Sequence, residues 1–342
     1  MRAPLPQSLS EHARRFWPSG DAVAPPAPGR DRDDAITIVT AFFDIGRDGW
    51  GTAGSAIGRN YRRCADIYME RFGNLAPIRN DLVVFVEPAL AQDVLDLRRA
   101  AGLEDRTTIY TIDGLFDLDP VRPILEAVSA RMTGTLRRFV WQPDVPEYND
   151  PRYVLVNALK SSFVLTAIDM GAVNQAQVAW IDFGYCRTPD TIDPEVEWRY
   201  DAGGKINLFC GARLDDRPIF DIVRNGCVYF QGCHIVGPVQ AWAAFNARLA
   251  GALERLLTCD LVDDDQTLLL MSWRQAPDEH IVHEVDLGGP LGWFFIFRAF
   301  RSGAPRPVGS IGPVRIKKDP AWLREMKASL KRRRGKTGAA QA

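Results

Sequence analysis

The 342-residue chain has no long apolar run, no Cys-x-x-Cys pair, only four histidines and a formal net charge of −1, and each shortage excludes a class of protein. Its apolar residues fall in short runs, such as 36–43, 82–87, 178–185 and 293–297. None approaches the roughly 20 continuous apolar residues that a membrane-spanning helix requires. The first 34 residues are rich in Pro, Ala, Arg and Asp and lack the roughly 7–15-residue apolar segment of a secretory signal. They read as a disordered leader on a cytoplasmic protein. Six cysteines stand in no framework spacing, most of them inside apolar segments, which favours reduced, packed thiols over disulfides or a structural zinc site. The small net charge conceals an asymmetry. Residues 315–336 carry ten basic and two acidic side chains, whereas residues 35–314 carry 27 basic and 36 acidic. A region that acidic is a poor nucleic-acid surface.

What is present is a globular composition, 46% hydrophobic and 25% charged. Strand-like runs at 36–43, 82–87 and 107–112 alternate with helical spacing at 57–72 and 89–102, the second ending at Gly102 as a C-terminal glycine. Such alternation predicts βαβ units and a largely parallel sheet. A helix of about five turns is expected over 153–170, then a strand at 178–185. Strands at 206–210 and 227–237 lack a long helix between them, which suggests mixed pairing. Helices follow over 239–259 and 263–273. The expectation is one α/β domain over 35–300, an open mixed sheet with a Rossmann-like N-terminal half flanked by helices. The basic tail, 301–342, is expected to be partly helical or disordered, with the option of peripheral contact with an anionic membrane.

Several residues stand where chemistry could occur. Asp182 ends a buried strand at its carboxyl edge, where open α/β sheets place ligands, and could hold a divalent cation on a pyrophosphate or simply cap the following turn. Asp263, Asp264, Asp265 and Gln266 open an apolar helical run. Capping and the helix dipole explain one or two acidic residues there, but not three. Gly232 and Gly237 lie in an apparent strand and mark close approach of backbone or ligand, with His234 between them as a core residue. Lys160 interrupts an apolar helix face and either reaches phosphate or snorkels to solvent. Trp180, Tyr185 and Trp242 are candidates for stacking on sugar rings. Asp182-Phe183-Gly184 spells a kinase signature without its companions. Gly49, Gly51 and Gly54 fit a dinucleotide turn, but the next strand-end acid, Glu87, lies too far along, so an oxidoreductase is a minor alternative. His280 and His283 read as incidental, on one helical face or flanking a turn.

The stretches TAFFDIGRDGW, LVNALKSSFV, AWIDFGYCR, VYFQGCHIVG and VDDDQTLLLMSW, in this order between Ile36 and Phe300, resemble the bacterial HtrL/YibB (WlaTC-like) family. That resemblance implies a link with lipopolysaccharide or other surface glycans. The succession Lys160, Asp182, Gly232 and Asp264 to Gln266 also resembles GT-A type glycosyltransferases. It implies a nucleotide-sugar donor bordered by Thr40, Ala41, Phe42, Asp44 and Arg47, with Lys160, Gly232 and Gln266 also on the donor side. Asp182 would bind Mn²⁺ or Mg²⁺, and one of Asp263, Asp264 and Asp265 would face a glycan or glycolipid acceptor. Position 184 departs from the pattern: Gly184 stands where the metal motif has its second Asp. A non-catalytic nucleotide- or glycan-binding protein of the same fold is the alternative that this departure favours.

Overall fold

A computed structural model of the chain describes residues 34–50, 63–286, 292–302, 311–314 and 321–338. The strands are β1 (Ile36–Phe42), β2 (Asp81–Val86), β3 (Thr107–Thr111), β4 (Gln177–Ile181), β5 (Ile206–Cys210), β6 (His234–Pro238) and β7 (His280–Glu284). They form one sheet in the order β3-β2-β1-β4-β6-β5-β7. The first four pair in parallel, β6 runs antiparallel to both β4 and β5, and β7 lies parallel to β5. This is the open mixed α/β sheet with a Rossmann-like half that the sequence predicts.

All of β2 and β4 is buried. A strand covered on both faces has no polar side to show, so these runs read as continuous apolar segments. The period-2 alternation of a strand still sorts their side chains. Val39, Val83, Phe85, Val178 and Trp180 join one apolar cluster, while Ile38, Leu82, Val84, Ala179 and Ile181 join a second.

Helices α1 (Ala65–Leu75) and α2 (Ala91–Ala100) link the first three strands. The chain leaves α2 through a Schellman turn: the N–H of Leu103 bonds Arg98 O at 3.0 Å, that of Gly102 bonds Arg99 O at 2.9 Å, and Gly102 takes φ +68°. Then come α3 (Arg122–Arg131), α4 (Gly134–Phe139), α5 (Pro151–Ala158), α6 (Lys160–Asp169) and α7 (Ile219–Asn225). The rest are α8 (Trp242–Thr258), α9 (Asp265–Gln275), α10 (Ile296–Ala299) and α11 (Ala321–Gly338).

Four expectations change. The helix over 153–170 is two helices that meet at Leu159, which stays in the right-handed helical region but with ψ relaxed to −3° just before Lys160. Of the segment 227–237, the strand β6 comprises only His234–Pro238, so Gly232 lies in the bend that enters it and Gly237 within it. His280 and His283 sit on β7, not on a helix, and both are buried. The helix expected from residue 57 begins at Ala65 within the described residues. Gly51, Gly54, the leader through residue 33 and parts of the tail lie outside them. What is described of the tail includes α11, where the Arg324 guanidinium lies over the Trp141 ring at 5.1 Å and donates to Trp141 O. No described helix is long and apolar enough to cross a membrane.

Candidate functional site

From β1 the chain crosses to β2 and β3 on one side, then returns to lay β4 on the other. Loops leaving the carboxyl ends of these two adjacent parallel strands diverge, which opens a crevice at the point where strand order reverses. The crevice has two lobes. One, of about 230 Å³, is lined by Ala41, Phe42, Asp44 and Arg47 after β1, by Tyr68 of α1 and by Gly184. The other, of about 210 Å³, is lined by Gly232, Asp264, Asp265, Gln266 and Trp293. Tyr153, Asn157, Lys160, Asp182, Arg187 and Cys233 line both, so they form the waist.

Lys160, the first residue of α6, holds the waist together. Its Nζ lies 2.9 Å from Asp182 Oδ1, 2.7 Å from Asp265 Oδ2 and 3.0 Å from Gly232 O. Three ammonium donors thus meet three acceptors. Burial by itself would lower the pKa of this lysine, but the carboxylates of Asp182 and Asp265 outweigh it and raise the value, so Lys160 stays protonated. Asp182 also accepts from Trp180 Nε1 at 2.7 Å, and its backbone N–H bonds Cys233 O at 2.9 Å, tying the end of β4 to the start of β6. The side chain of Asp182 is therefore an ion-paired group facing the crevice, not a turn cap. Gly232 answers to sterics: a Cβ there would meet Asp265 Oδ2 at 1.8 Å. Only glycine lets that carboxylate come close enough to share the lysine with the Gly232 carbonyl.

The three aspartates take three different places. Asp263 turns inward, accepting from Thr267 Oγ1 at 2.7 Å and Tyr148 Oη at 3.3 Å. Burial pushes its pKa up to about 7. Asp264 is the N-cap of α9, accepting from the N–H of Gln266 at 3.1 Å, and borders the second lobe. Burial and the neighbouring Asp265, Asp263 and Glu147 carboxylates raise its pKa well above the ordinary range. Asp265 is committed to Lys160. Glu147, which the sequence reading did not single out, joins this group from the loop before α5, its pKa also raised by burial. Its only sequence signal is an acid in a Pro/aromatic loop.

Arg47 donates to Tyr68 Oη at 2.8 Å and lies over the rings of Trp50 and Tyr153 at 4.9 and 5.6 Å. It reaches the first lobe, as do Ala41, Phe42 and Asp44. Thr40 does not line the crevice: it is fully buried, on the β1 face shared by Ile38 and Phe42. Among the proposed stacking aromatics, Trp242 is buried among α8 neighbours such as Phe245, away from both lobes. Trp180 and Tyr185 are core residues whose edges reach the first lobe. His234 packs against Tyr185, Phe209 and Phe295, and burial lowers its pKa to about 3, so it is neutral. His283 Nε2 lies 2.7 Å from Asn207 Oδ1, and His280 Nδ1 lies 2.8 Å from Ala276 O, so both are fastened into the fold.

The residues present do not fit a protein-held divalent cation. A Cβ at Gly184 would lie 2.9 Å from Tyr68 Cδ1 and 3.2 Å from Cε1, so an anchored ring fills the room a second carboxylate needs. The place between Asp182 and Asp265 where a cation would bridge two carboxylates belongs to the Lys160 ammonium. Among the described residues, no group of three or more His, Cys, Asp or Glu side chains could hold a metal.

No solved structure matches. Protein HtrL of Escherichia coli (strain K12) is 34% identical over 273 residues, covering 78% of this chain and 93% of that protein. The family model described as a bacterial protein of unknown function (HtrL_YibB) matches residues 34–302, the stretch that contains the whole sheet and both lobes of the crevice. The chain belongs to the HtrL/YibB family.

Proposed function

We propose that this protein is a glycosyltransferase that moves a sugar from a nucleotide-sugar donor to a cell-surface glycan or glycolipid acceptor of the lipopolysaccharide or capsule type. The observation that carries the reading is the two-lobed crevice at the switch point, with the Lys160–Asp182–Asp265 cluster at its waist and the N-cap carboxylate of Asp264, in no salt bridge among the described residues, on the second lobe. The first lobe, rimmed by Arg47, Arg187, Tyr68 and Tyr153, combines guanidinium charge with aromatic faces, the chemistry that receives a base and its diphosphate. The second lobe receives the acceptor.

In this reading the acceptor hydroxyl oxygen bonds to the anomeric carbon as the bond from that carbon to the diphosphate oxygen breaks. The diphosphate leaves with the electron pair. If transfer inverts the sugar, Asp264 takes the hydroxyl proton, and its raised pKa suits a proton acceptor better than that of an exposed carboxylate. Asp182, positioned by Lys160 and Trp180, is left to accept from a sugar hydroxyl at the waist. The basic α11, with Met326 and Leu330 exposed beside Lys327 and Lys331, would rest on an anionic leaflet where lipid-linked glycans are assembled.

One observation favours a second reading, a nucleotide- or glycan-binding protein without turnover: Gly184 in place of a second carboxylate. The two are separated by incubating the protein with nucleotide sugars and glycolipid acceptors and following released nucleoside diphosphate. Release that depends on acceptor and disappears in Asp264→Asn supports the transferase. Donor binding without release under every acceptor condition would sink it in favour of the binding protein.

A further inference from the structure

We propose that the donor's diphosphate is neutralised by this chain's own guanidinium groups, Arg187 with Arg71 and Arg47, so that donor binding needs no divalent cation. The inference rests on the nucleotide-sugar reading above and names how that site handles its charge.

Tyr68 is the centre of the arrangement. Arg47 donates to its hydroxyl at 2.8 Å, Arg71 lies over its ring at 6.0 Å, and its ring edge covers Gly184. The aliphatic part of Arg71 comes within 3.6 Å of a Cβ placed on Gly184, so this guanidinium stands beside the position that would otherwise supply the second metal carboxylate. From the other side of the same turn, Arg187 lines both lobes and lies over the Phe294 ring at 5.4 Å. Neither Arg71 nor Arg187 forms a salt bridge among the described residues, unlike Arg79, Arg99, Arg106 and Arg152, each of which has a carboxylate partner.

These charges also repel one another. Burial and the nearby Arg187 and Arg63 lower the pKa of Arg71 to about 10, and burial and Arg63 lower that of Arg187. The mutual repulsion of Arg71 and Arg187, neither of which is in a salt bridge among the described residues, is a cost to the folded protein that a bound polyanion removes. A diphosphate supplies that anion in the fork geometry guanidinium groups match.

Lys160 cannot take this role. Its three donors are already used by Asp182, Asp265 and Gly232 O, and releasing them would strand two carboxylates at the waist. The internal cation set is thus divided. Lys160 holds the carboxylates, while Arg187 and Arg47, which line the crevice, face the phosphates, with Arg71 beside Gly184 next to them.

The test is calorimetric titration of the full chain with UDP, GDP, ADP and CDP, once in EDTA and once with Mn²⁺, and with the corresponding nucleosides as controls. One nucleoside diphosphate should bind in EDTA with an affinity within about threefold of that in Mn²⁺. Arg187→Met should weaken it roughly 10–100-fold, the usual weight of a lost charge-assisted contact, leave nucleoside binding unchanged and flatten the salt dependence. Arg71→Met serves as the second variant, and thermal unfolding checks that each folds. Binding that appears only with Mn²⁺, or that ignores both substitutions, overturns the inference while leaving the nucleotide-sugar reading intact. If neither nucleoside diphosphates nor nucleotide sugars bind in either buffer, that reading falls, and the inference with it.

Discussion

Replacing Lys160 by methionine tests whether the waist of the crevice is an electrostatic unit or a packing accident. The aliphatic stem is nearly preserved, so the main change is loss of one ammonium that serves Asp182 and Asp265 together. The two carboxylates will not suffer equally. The Asp265 side chain is 10% exposed and has little water to turn to, whereas that of Asp182 is 35% exposed and can be hydrated from the crevice. Removing one partner of a buried ion pair costs about 3–5 kcal/mol. Most of that falls on Asp265, since solvent screens the Asp182 contribution. An unpaired buried carboxylate has its folded-state pKa raised above the unfolded value. Its contribution to stability is therefore present below the unfolded pKa and is lost as pH rises through the window above it. Urea unfolding followed by tryptophan fluorescence should show Lys160→Met destabilised by several kcal/mol at pH 8 and clearly less at pH 5. Adding Asp265→Asn should restore most of the loss at pH 8, because a neutral amide needs no cation. A deficit below about 1 kcal/mol, one equal at both pH values, or no rescue by the second substitution would refute the reasoning.

Three further outcomes are expected. The carboxylates of Asp263, Asp264 and Glu147 have folded pKa values raised above their unfolded ones, so stability from this cluster is highest at low pH and declines as pH rises from the ordinary carboxylate range to about 7 for Asp263. Asp264→Asn should therefore raise the thermal midpoint at pH 8 more than at pH 5 while abolishing turnover; equal shifts at both would show that its carboxyl is not charge-strained. Gly232→Ala, which puts a Cβ 1.8 Å from Asp265 Oδ2, should destabilise by about 1–3 kcal/mol, as overpacking does, and disturb the Lys160 cluster, so an unchanged midpoint would count against the close approach. Lys327→Glu with Lys331→Glu on α11 should release the protein from phosphatidylserine vesicles in a sedimentation assay without altering nucleotide binding, and retained sedimentation would rule out the helix as the contact.

The parallel half of the sheet was legible because buried strands leave an unambiguous mark, such as 36–43 and 82–87, separated by helical spacing of the right length. The C-terminal strands were harder to read. β7 is five residues long and includes two histidines and a glutamate, so nothing in its composition separates it from a loop. The break at Leu159 was likewise silent, since apolar periodicity runs through it on both sides. For the site, Asp182 stood out as an acid ending a buried strand, and the run of three aspartates stood out because capping explains only part of it. Which aspartate faces the crevice was not readable. Consecutive residues at a helix start point in directions set by the cap, and the cap is settled by what α9 packs against. Arg71, Arg187 and Glu147 are silent in the sequence because arginines and glutamates are common on surfaces and carry no local signature.

The sequence by itself determined the class of fold and marked Asp182 and the aspartates at 263–265 as residues to watch, because burial pattern and strand-end position are local properties of the chain. Only the tertiary structure decided how those charges are shared. Lys160, Asp182, Gly232 and Asp265 come from four separate segments, and the pairing that gives each its role exists only when the ends of β4 and β6 and the starts of α6 and α9 meet within about 3 Å of one ammonium group.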